Sequence, residues 1–342
     1  MKQIQAILIG LGMVGSDIVK NSISKGVDYI GIFDVNPELV GKFAGEVLDI
    51  PALDTIIQNT SELDAFLKTH TVDIAINTAA APAERTIDLV KTVLSHKVNL
   101  LTSLADIYVM ETHFPELYAE LDALAKENGV SFFASGIQDV FWTALPIALT
   151  GCNLDITEIK GTNVALIDYF GPGVADECYV GWDLDKFNKA NEAGELPTND
   201  FLIALYELVN KLGLHVTSER SQMEPLLAKE DIYYETIDRH IKKGQLLGNY
   251  VESRITTEEG IDLVCDFVSK MSEEGDTDLN KWEITGVPTI NIITERMQGE
   301  ITTGSNIINR IPDVINAEPG VIAASQMPAP FYKANGLNTY IK

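Results

Sequence analysis

The sequence predicts an α/β protein of two domains, and three observations support this prediction. The chain has 342 residues, which is more than one hydrophobic core ordinarily covers. Short apolar runs alternate with helical patterns over residues 1–150, as in a doubly wound parallel sheet. Over residues 151–302 the strand candidates become longer, as in an α+β domain with an open mixed sheet. The remaining segment, residues 303–342, is expected to return to the first domain.

The first predicted domain opens with a βαβ unit. Residues 4–10 form an apolar run that ends in glycine, residues 15–24 have a helical pattern, and residues 29–34 form a second apolar run. The other elements predicted here are strands at 72–77, 99–102 and 130–134 and helices at 83–96 and 114–128. Because strands alternate with helices, we expect the strands to run parallel.

The second predicted domain contains longer strands. The predicted strands are residues 156–165, 250–255, 261–269 and 289–293. The predicted helices are residues 183–193 and 200–212, and the helix that returns to the first domain is residues 303–314. The organisation of the chain therefore changes after Gly151.

The composition argues against several classes of function. The formal net charge is −25, and basic residues cluster only in pairs such as Lys242-Lys243, which argues against nucleic-acid binding. The first residues enter a strand pattern with no signal segment, and no apolar stretch reaches the roughly 18 residues that indicate a membrane span. We therefore expect a cytoplasmic protein with small-molecule partners and no membrane contact.

Cysteines and histidines indicate no metal centre. Cys152, Cys178 and Cys265 are odd in number and widely spaced, which fits neither a disulfide framework nor a structural zinc site. His215 and His240 have no neighbouring residues at ligand spacing and are interpreted as surface residues. The cysteines are expected to be reduced packing residues, with a lone reactive thiol as the alternative.

A glycine-rich motif follows the first strand. Gly10-Leu11-Gly12-Met13-Val14-Gly15 opens a helix and precedes Asp34, at the end of the second strand, by 19 positions. In this context Gly10 permits a tight turn, Gly12 lets a pyrophosphate approach the backbone, and Gly15 lets helix and strand pack closely. The helix N-terminus then offers amides to the phosphates, and the carboxylate accepts hydrogen bonds from a ribose. The motif therefore predicts a Rossmann dinucleotide-binding domain.

The residues around Asp34 favour NAD over NADP, which stays open as the alternative. A carboxylate repels a 2′-phosphate, and no arginine follows it to receive one. The segment 78–82 ends a further strand with small residues, which suits either close passage of a ribose or nicotinamide or plain packing. The predicted cofactor residues are Gly10, Gly12, Met13, Val14, Gly15, Asp34, Val35, Thr78, Ala79, Ala80, Thr102 and Gly136.

Several segments together resemble one family of oxidoreductases. The matching segments are 10–15, 34–42, 45–47, 135–137, 145–149, 181–182 and 309–321. They are similar to dihydrodipicolinate reductase-like oxidoreductases, and above all to the branch that contains 2,4-diaminopentanoate dehydrogenase and native amine dehydrogenases. The resemblance implies hydride exchange at a carbon bearing nitrogen, a substrate-binding and oligomerisation domain over residues 151–302, and a homodimer or homotetramer.

The sequence also departs from the family pattern. Dihydrodipicolinate reductases carry a basic histidine-rich signature and a Lys-Asp-Ala-Pro-Ser-Gly-type loop, and nothing between Gly161 and Gly181 resembles either. Amine dehydrogenases of this group have a glutamate near the position of Asp106, and Asn-Pro-Gly where this chain has Gln138-Asp139-Val140. With these departures, we expect the same reaction class but a different substrate.

The candidate catalytic residues are Asp106, Asp139 and Gln138. Oxidising an amine to an imine requires loss of a proton from nitrogen and stabilisation of a cationic iminium, and a carboxylate serves both needs. Asp106 and Asp139 follow strands whose carboxyl ends are expected to meet at the ligand edge of the sheet. Capping of a nearby helix is the alternative role for each carboxylate.

Further candidates for substrate contact are Trp142, Asp168 and Tyr169, and core packing is the alternative for the aromatic residues of the segment 168–172. The leading functional hypothesis is an NAD(P)-dependent dehydrogenase of an amine or amino acid, reversible towards reductive amination. The second hypothesis is a reductase of a cyclic imine or other C=N bond. The third is a non-catalytic NAD(H)-responsive binding protein, since Rossmann folds serve many functions.

Overall fold

The computed structural model describes residues 3–79, 83–104, 110–196 and 202–342. The chain forms two compact units. The first consists of Met1–Val140 and Ile301–Lys342, and the second of Phe141–Glu300. The division from sequence placed the first boundary near residue 150 and the second near 302. The binding roles predicted for the two domains stay predictions.

The strands and helices are numbered in chain order. The strands are β1 (Ile4–Ile9), β2 (Val27–Asp34), β3 (Ile57–Asn59), β4 (Ile74–Asn77), β5 (Asn99–Thr102), β6 (Ser131–Ala134), β7 (Asp155–Leu166), β8 (Val216–Leu227), β9 (Ile232–Tyr234), β10 (Arg239–Ile241), β11 (Leu246–Thr257), β12 (Asp262–Lys270), β13 (Leu279–Val287), β14 (Ile290–Glu295) and β15 (Gly320–Ile322). The helices are α1 (Met13–Ser22), α2 (Ala44–Leu48), α3 (Leu63–Leu67), α4 (Ala83–Ser95), α5 (Met110–His113), α6 (Pro115–Asn128), α7 (Leu145–Thr150), α8 (Pro172–Glu177), α9 (Leu184–Glu192), α10 (Leu202–Leu212) and α11 (Gly299–Ile315).

The first unit contains a parallel sheet in the order β15-β6-β5-β4-β1-β2-β3. Strands β4 and β6 are buried at every position, as expected for parallel strands covered on both faces. The strand order reverses between β1 and β4, and ligands of such sheets bind beyond the carboxyl ends of the strands at that point. The predicted doubly wound parallel sheet is confirmed.

Helix α11 brings the C-terminal segment onto this sheet. Its residues Ile307, Ile311 and Val314 are fully buried. The hydroxyl of Ser131 in β6 donates a 2.6 Å hydrogen bond to the carbonyl of Val314. Further along the chain, β15 joins the sheet beside β6. The last helix and the strand after it are therefore structural parts of the first unit.

The second unit contains a six-stranded mixed sheet in the order β14-β13-β7-β12-β11-β8. Strands β7 and β12 run parallel, whereas the other neighbours are antiparallel. Helix α10 packs against β11 and β12. Buried and partly buried positions alternate along β13, which places the fully buried Trp282 and Ile284 on one face. The predicted open mixed sheet is confirmed.

Two long strands were missed by sequence reasoning. Strand β8 lies at an edge of the sheet, and most of its side chains are exposed and polar, so it lacks an apolar run. Strand β13 alternates polar and apolar residues from Lys281 to Ile284, a pattern of half-buried strands that a search for continuous apolar runs passes over.

Among the helices of the described segments, none combines the length and apolar character needed to cross a bilayer.

Candidate active site

The glycine motif forms the turn between β1 and α1. Gly10 has a φ of +92°, and a Cβ atom there would lie 2.6 Å from the amide nitrogen of Ala79. A Cβ on Gly15 would lie 2.2 Å from the carbonyl oxygen of Gly10. At Gly12, by contrast, a Cβ would meet no atom within 4 Å. Gly10 and Gly15 therefore serve the packing of the turn, and the missing side chain of Gly12 leaves open space beside it.

Asp34 lies beside this turn at the carboxyl end of β2. Its Oδ2 accepts a hydrogen bond of 2.6 Å from the backbone amide of Leu11, inside the motif. Its Oδ1 accepts one of 2.8 Å from the amide of Asn36. The next residue, Val35, is 71% exposed. The carboxylate is thereby fixed against the glycine turn, where the sequence predicts the adenosine ribose.

The end of β4 completes the same turn. Thr78 donates a 2.7 Å hydrogen bond from its hydroxyl to the carbonyl oxygen of Gly10. The next residue is Ala79. Its backbone amide lies close to the position that a Cβ atom on Gly10 would occupy, so no side chain fits at Gly10. Met13 is half exposed at the start of α1, and Val14 is partly exposed. The structure thus brings these predicted cofactor residues together, whereas Ala80 lies outside the described residues.

The ends of β5 and β6 lie next to the end of β4. The hydroxyl of Thr102 accepts hydrogen bonds from the side-chain amide of Asn77 and from the backbone amide of Leu104, both at 3.3 Å. The amide of Ser135 donates to the carbonyl of Thr102 at 2.8 Å. Thr102 is fully buried, and Asp106, the other candidate after β5, lies outside the described residues. The carboxyl ends of three neighbouring strands are therefore joined by hydrogen bonds.

Asp139 forms a buried ion pair with Arg310 of α11. The guanidinium donates from Nε to Oδ2 at 2.7 Å and from Nη2 to Oδ1 at 2.8 Å. Oδ2 also accepts from the hydroxyl of Ser135 at 2.9 Å and from the amide of Asn306 at 3.1 Å. Both charged side chains are only 1% exposed. This two-point pairing occupies both oxygens, which weighs against the predicted role of Asp139 as a general base.

The environment keeps Arg310 charged. Burial acts against the cation, but hydrogen bonding to Asp139 and the charges of Asp139 and Asp313 outweigh it, so the pKa of Arg310 is raised above its ordinary value. A buried charge is tolerated in a protein when it is paired and hydrogen-bonded in this way. The pair is therefore a permanent structural feature of the site at neutral pH.

Asn306 and Gln138 hold the turn after β6. The side-chain amide of Asn306 donates to the carbonyl of Gly136 at 2.8 Å and to the hydroxyl of Ser135 at 3.0 Å. The amide of Gln138 donates to the carbonyl of Ser135 at 3.3 Å, and this side chain is only 6% exposed. A π-helical segment, Gln138–Ala144, follows. The predicted residues Gly136, Gln138 and Asp139 thus form one fixed turn.

Sequence reasoning missed Arg310 and Asn306. Both lie on α11, four residues apart, so they share a helix face. They are buried among Ile307, Ile311 and Val314. An arginine within the apolar spacing of a helix is the signal that could have found them, because a buried guanidinium requires an anionic partner.

The substrate candidates of the second unit belong to separate hydrogen-bonded groups. The indole of Trp142 donates to the side-chain oxygen of Asn163 at 3.2 Å, and its ring packs edge-on against Phe267. Asp168 accepts from the amide and hydroxyl of Ser272, both at 2.9 Å. Tyr169 is 57% exposed. Asp168 therefore holds a loop, and the roles of these three residues in substrate binding stay predictions.

The described residues contain no group of three or more His, Cys, Asp or Glu side chains placed to hold a metal ion. His215 forms an exposed pair with Glu259 at 2.6 Å, and its pKa is raised by that hydrogen bond and charge. Cys265 is fully buried, and burial raises the pKa of its thiol well above the ordinary value. This thiol is therefore unsuited to act as a nucleophile at neutral pH.

The chain is similar to known dehydrogenases along most of its length. It is 25% identical over 341 residues to 2,4-diaminopentanoate dehydrogenase of Acetoanaerobium sticklandii, which covers 96% of this chain and 95% of that protein. The solved structure of an amine dehydrogenase from Mycobacterium smegmatis matches with a TM-score of 0.92 and 28% identity, covering 97% of this chain and 98% of that one.

A more distant similarity concerns the fold alone. The structure of myo-inositol 2-dehydrogenase from Lactobacillus plantarum matches with a TM-score of 0.59 and 13% identity, covering 95% of this chain and 93% of that one.

Residues 141–342 match the family model of the 2,4-diaminopentanoate dehydrogenase C-terminal domain. The resemblance predicted from the sequence is confirmed. With more than half of its residues covered by that model, the chain belongs to the 2,4-diaminopentanoate dehydrogenase C-terminal domain family.

Proposed function

We propose that the protein is an NAD(P)-dependent dehydrogenase that oxidises a small amine or diamino acid at the carbon bearing nitrogen. The amine carbon gives up a hydride and the nitrogen a proton, and water then converts the imine to a carbonyl compound and ammonia. Membership of the family carries this proposal, together with the relative that acts on 2,4-diaminopentanoate by name. That diamino acid is the first substrate to test.

The glycine turn fits a dinucleotide. The open space at Gly12 is where a pyrophosphate would approach the backbone, while any side chain at Gly10 or Gly15 would collide with backbone atoms. The first amides of α1, which follow Gly12 directly, have no acceptor within the helix and would be available to phosphates. When bound, the cofactor would supply the acceptor for the hydride. The turn and α1 would hold its phosphates.

The position of Asp34 favours NAD in this proposal. The hydrogen bond from Leu11 fixes the carboxylate beside the turn, and its two oxygens retain lone pairs for ribose hydroxyls. The neighbouring side chains Val35 and Asn36 carry no positive charge to receive a 2′-phosphate. The same carboxylate would repel that phosphate.

The two candidate carboxylates have different roles in this proposal. Asp139 acts as a positioning residue, because its oxygens are occupied by Arg310, Ser135 and Asn306 and it holds the turn after β6. Asp106 follows β5 in the sequence, and β5 is the strand that lies between β4 and β6 in the sheet. We assign to Asp106 the uptake of the amine proton, which requires a carboxylate free to gain it.

The test is formation of NADH, followed by absorbance, with 2,4-diaminopentanoate and a panel of amines, and repeated with NADP. Dependence of the reverse reaction on ammonium separates this function from reduction of a cyclic imine, which releases no ammonia. Binding of NADH without turnover on any amine would favour the binding-protein hypothesis.

Asp106→Asn should lower kcat about 100-fold or more with little change in NADH affinity, since general base catalysis contributes about that much.

We further propose a homodimer or homotetramer in the cytoplasm, with the mixed sheet as the contact. Val164, Val268 and Leu279 are paired directly across neighbouring strands and form a partly exposed apolar stripe on one face. The charges beside it are already paired, as in Lys160 with Asp266 at 2.8 Å. Such a face suits a second copy of itself. Val268→Glu should shift the mass measured by light scattering to that of a monomer, whereas an unchanged mass would contradict this interface.

A further inference from the structure

Two asparagines of the chain, Asn128 and Asn335, are followed directly by glycine. In such a pair the backbone nitrogen of the glycine can attack the side-chain carbonyl carbon of the asparagine, because glycine has no Cβ atom to hinder the approach. The attack is easiest where neither group is held by a hydrogen bond and the segment is exposed. The structure places the two pairs in opposite environments.

Asn128 is the last residue of α6, and the end of the helix holds both groups of its pair. The side-chain amide of Asn128 donates a 2.9 Å hydrogen bond to the carbonyl of Leu124. The backbone amide of Gly129 donates to the carbonyl of Lys126 at 3.2 Å, and this glycine has the left-handed conformation that ends a helix, with a φ of +70°. The attacking nitrogen and the side-chain amide are therefore both occupied.

Asn335 is exposed and lies just before the short 3₁₀ helix Leu337–Tyr340. Its own backbone amide donates to the hydroxyl of Tyr340 at 3.3 Å. Among the described residues, neither its side-chain amide nor the backbone amide of Gly336 has a hydrogen-bond partner. The glycine is held through its carbonyl instead, which accepts from the amide and the hydroxyl of Thr339 at 2.9 Å and 2.7 Å. The attacking nitrogen is therefore free to lose its proton.

We propose that Asn335 is a site of spontaneous deamidation. The nitrogen of Gly336 loses its proton and bonds to Cγ of Asn335, the bond from Cγ to the side-chain nitrogen breaks, and that nitrogen leaves with the proton as ammonia. Water then opens the resulting succinimide ring at either of its carbonyls. Opening at the side-chain carbonyl gives aspartate. Opening at the backbone carbonyl gives isoaspartate, in which the main chain runs through the former side chain.

The pair lies between two buried anchors of the C-terminal segment. Lys333 is 1% exposed, and Leu337 is fully buried. The amide of Lys333 donates to the side chain of Asn309 in α11 at 2.9 Å, and Asn316 of the same helix donates to the carbonyl of Tyr340 at 2.7 Å. Isoaspartate adds one main-chain atom between anchors whose separation the fold fixes. Deamidation should therefore loosen the C-terminal segment from α11 and lower the melting temperature.

Peptide mapping by mass spectrometry, after incubation of the full chain at neutral and at alkaline pH, tests the proposal, since each deamidation adds one mass unit. We expect Asn335 to react at least about tenfold faster than Asn128, because two hydrogen bonds have to break at Asn128 and each slows the attack by a factor of a few. The rate at Asn335 should rise with pH, because the attacking nitrogen must lose a proton. Equal rates at the two asparagines, or no reaction at Asn335, would overturn the proposal.

Gly336→Ala is the matched variant for the attack. The φ of Gly336 is −54°, which alanine adopts readily, and the added methyl group would press only against the end of the Asn338 side chain, at 2.9 Å. This variant should slow the reaction at Asn335 and leave Asn128 unchanged. Deamidation at the native rate in Gly336→Ala would contradict attack by this backbone nitrogen.

Two further variants test the effect on stability. In Asn335→Gln the attack would have to close a larger ring, which forms more slowly, so this variant should keep its melting temperature during an incubation that lowers that of the native protein. Freshly prepared Asn335→Asp carries the new charge without the longer main chain and should melt close to the fresh native protein. Equal losses of melting temperature in the incubated native protein and Asn335→Gln would overturn the effect assigned to this site.

Discussion

Arg310 and Asp139 are 171 residues apart in the chain, yet they meet through two hydrogen bonds of 2.7 Å and 2.8 Å in the interior of the first unit. The pair joins α11 to the turn after β6, and Asn306 adds a second connection to the same turn. The C-terminal helix thereby fixes backbone that lies at the ligand edge of the parallel sheet. Because the pair is dry, its loss should affect both stability and the geometry of the turn.

Arg310→Met should destabilise the protein by about 3–5 kcal/mol, because it leaves the buried carboxylate of Asp139 without its cation. The measurement is denaturant unfolding followed by circular dichroism. The matched control is Arg310→Met combined with Asp139→Leu, which removes both charges and should recover part of the lost free energy of unfolding. Equal destabilisation in the single and double variants would contradict the account of this pair.

Two glycines of the turn should respond differently to alanine. Gly15→Ala places a methyl group 2.2 Å from the carbonyl of Gly10, so it should lower the melting temperature and the affinity for NADH together. Gly12→Ala meets open space and should leave the melting temperature nearly unchanged while it weakens NADH binding. Thermal melts and fluorescence titration with NADH measure the two effects. Unchanged NADH affinity in Gly12→Ala would count against a pyrophosphate at this place.

Asp34→Asn should shift the cofactor preference towards NADP. The amide oxygen can still accept from the amide of Leu11, so the turn is expected to keep its shape, while the negative charge is lost. The ratio of NADP to NAD affinity should rise on the order of tenfold, since unit charges about 4 Å apart near a protein surface interact by one to several kcal/mol. Titration with both reduced cofactors measures the ratio. A ratio equal to that of the native protein would show that Asp34 does not face the ribose.

The second unit should lose a stabilising ion pair at low pH. Nζ of Lys270 lies 2.7 Å from Oδ2 of Asp276 and 2.9 Å from Oε2 of Glu273. Partial burial opposes the charge of Asp276, but the hydrogen bond from Lys270 prevails, so the pKa of Asp276 lies below its ordinary value. A lowered pKa stabilises the folded state above the pKa of the unfolded chain, and this contribution is lost as the pH falls through the folded value.

Lys270→Met therefore should lower the melting temperature at pH 7, and the difference from the native protein should shrink once the pH falls below about 4, the ordinary pKa of aspartate. Melts over a pH series measure it. The control is Lys281→Met, which removes a more exposed pair with Glu283 at 3.0 Å and should change the melting temperature little at any pH. A difference that stays constant down to pH 3 would contradict this interpretation.

The sequence allowed prediction of those parts of the fold that depend on local patterns. The buried strands β4, β5 and β6 are short apolar runs between helical segments, and the glycines of the turn have spacing that few other structures require. Gly10 and Gly15 lie where the prediction placed them, each against backbone that excludes a side chain. Local chemistry determines these features, so they can be found without knowledge of tertiary contacts.

Features that depend on distant contacts could not be predicted in this way. Asp139 was interpreted as a candidate base because it follows a strand, and its partner Arg310 is distant in the chain. Asp168 likewise holds Ser272, which is 104 residues away. Whether a carboxylate is free or paired depends on which helix or loop packs over it, and a single sequence gives only weak signals of that packing. The buried arginine within the apolar face of α11 was such a signal.

The measurement that tests the central claim most directly is turnover of NAD with 2,4-diaminopentanoate, with NADH and ammonia determined in the same reaction. The account predicts equal amounts of NADH and ammonia, with ammonium required for the reverse reaction. NADH binding without turnover on the diamino acid or any amine of the panel would contradict it, as would NADH oxidation by an imine that is independent of ammonium.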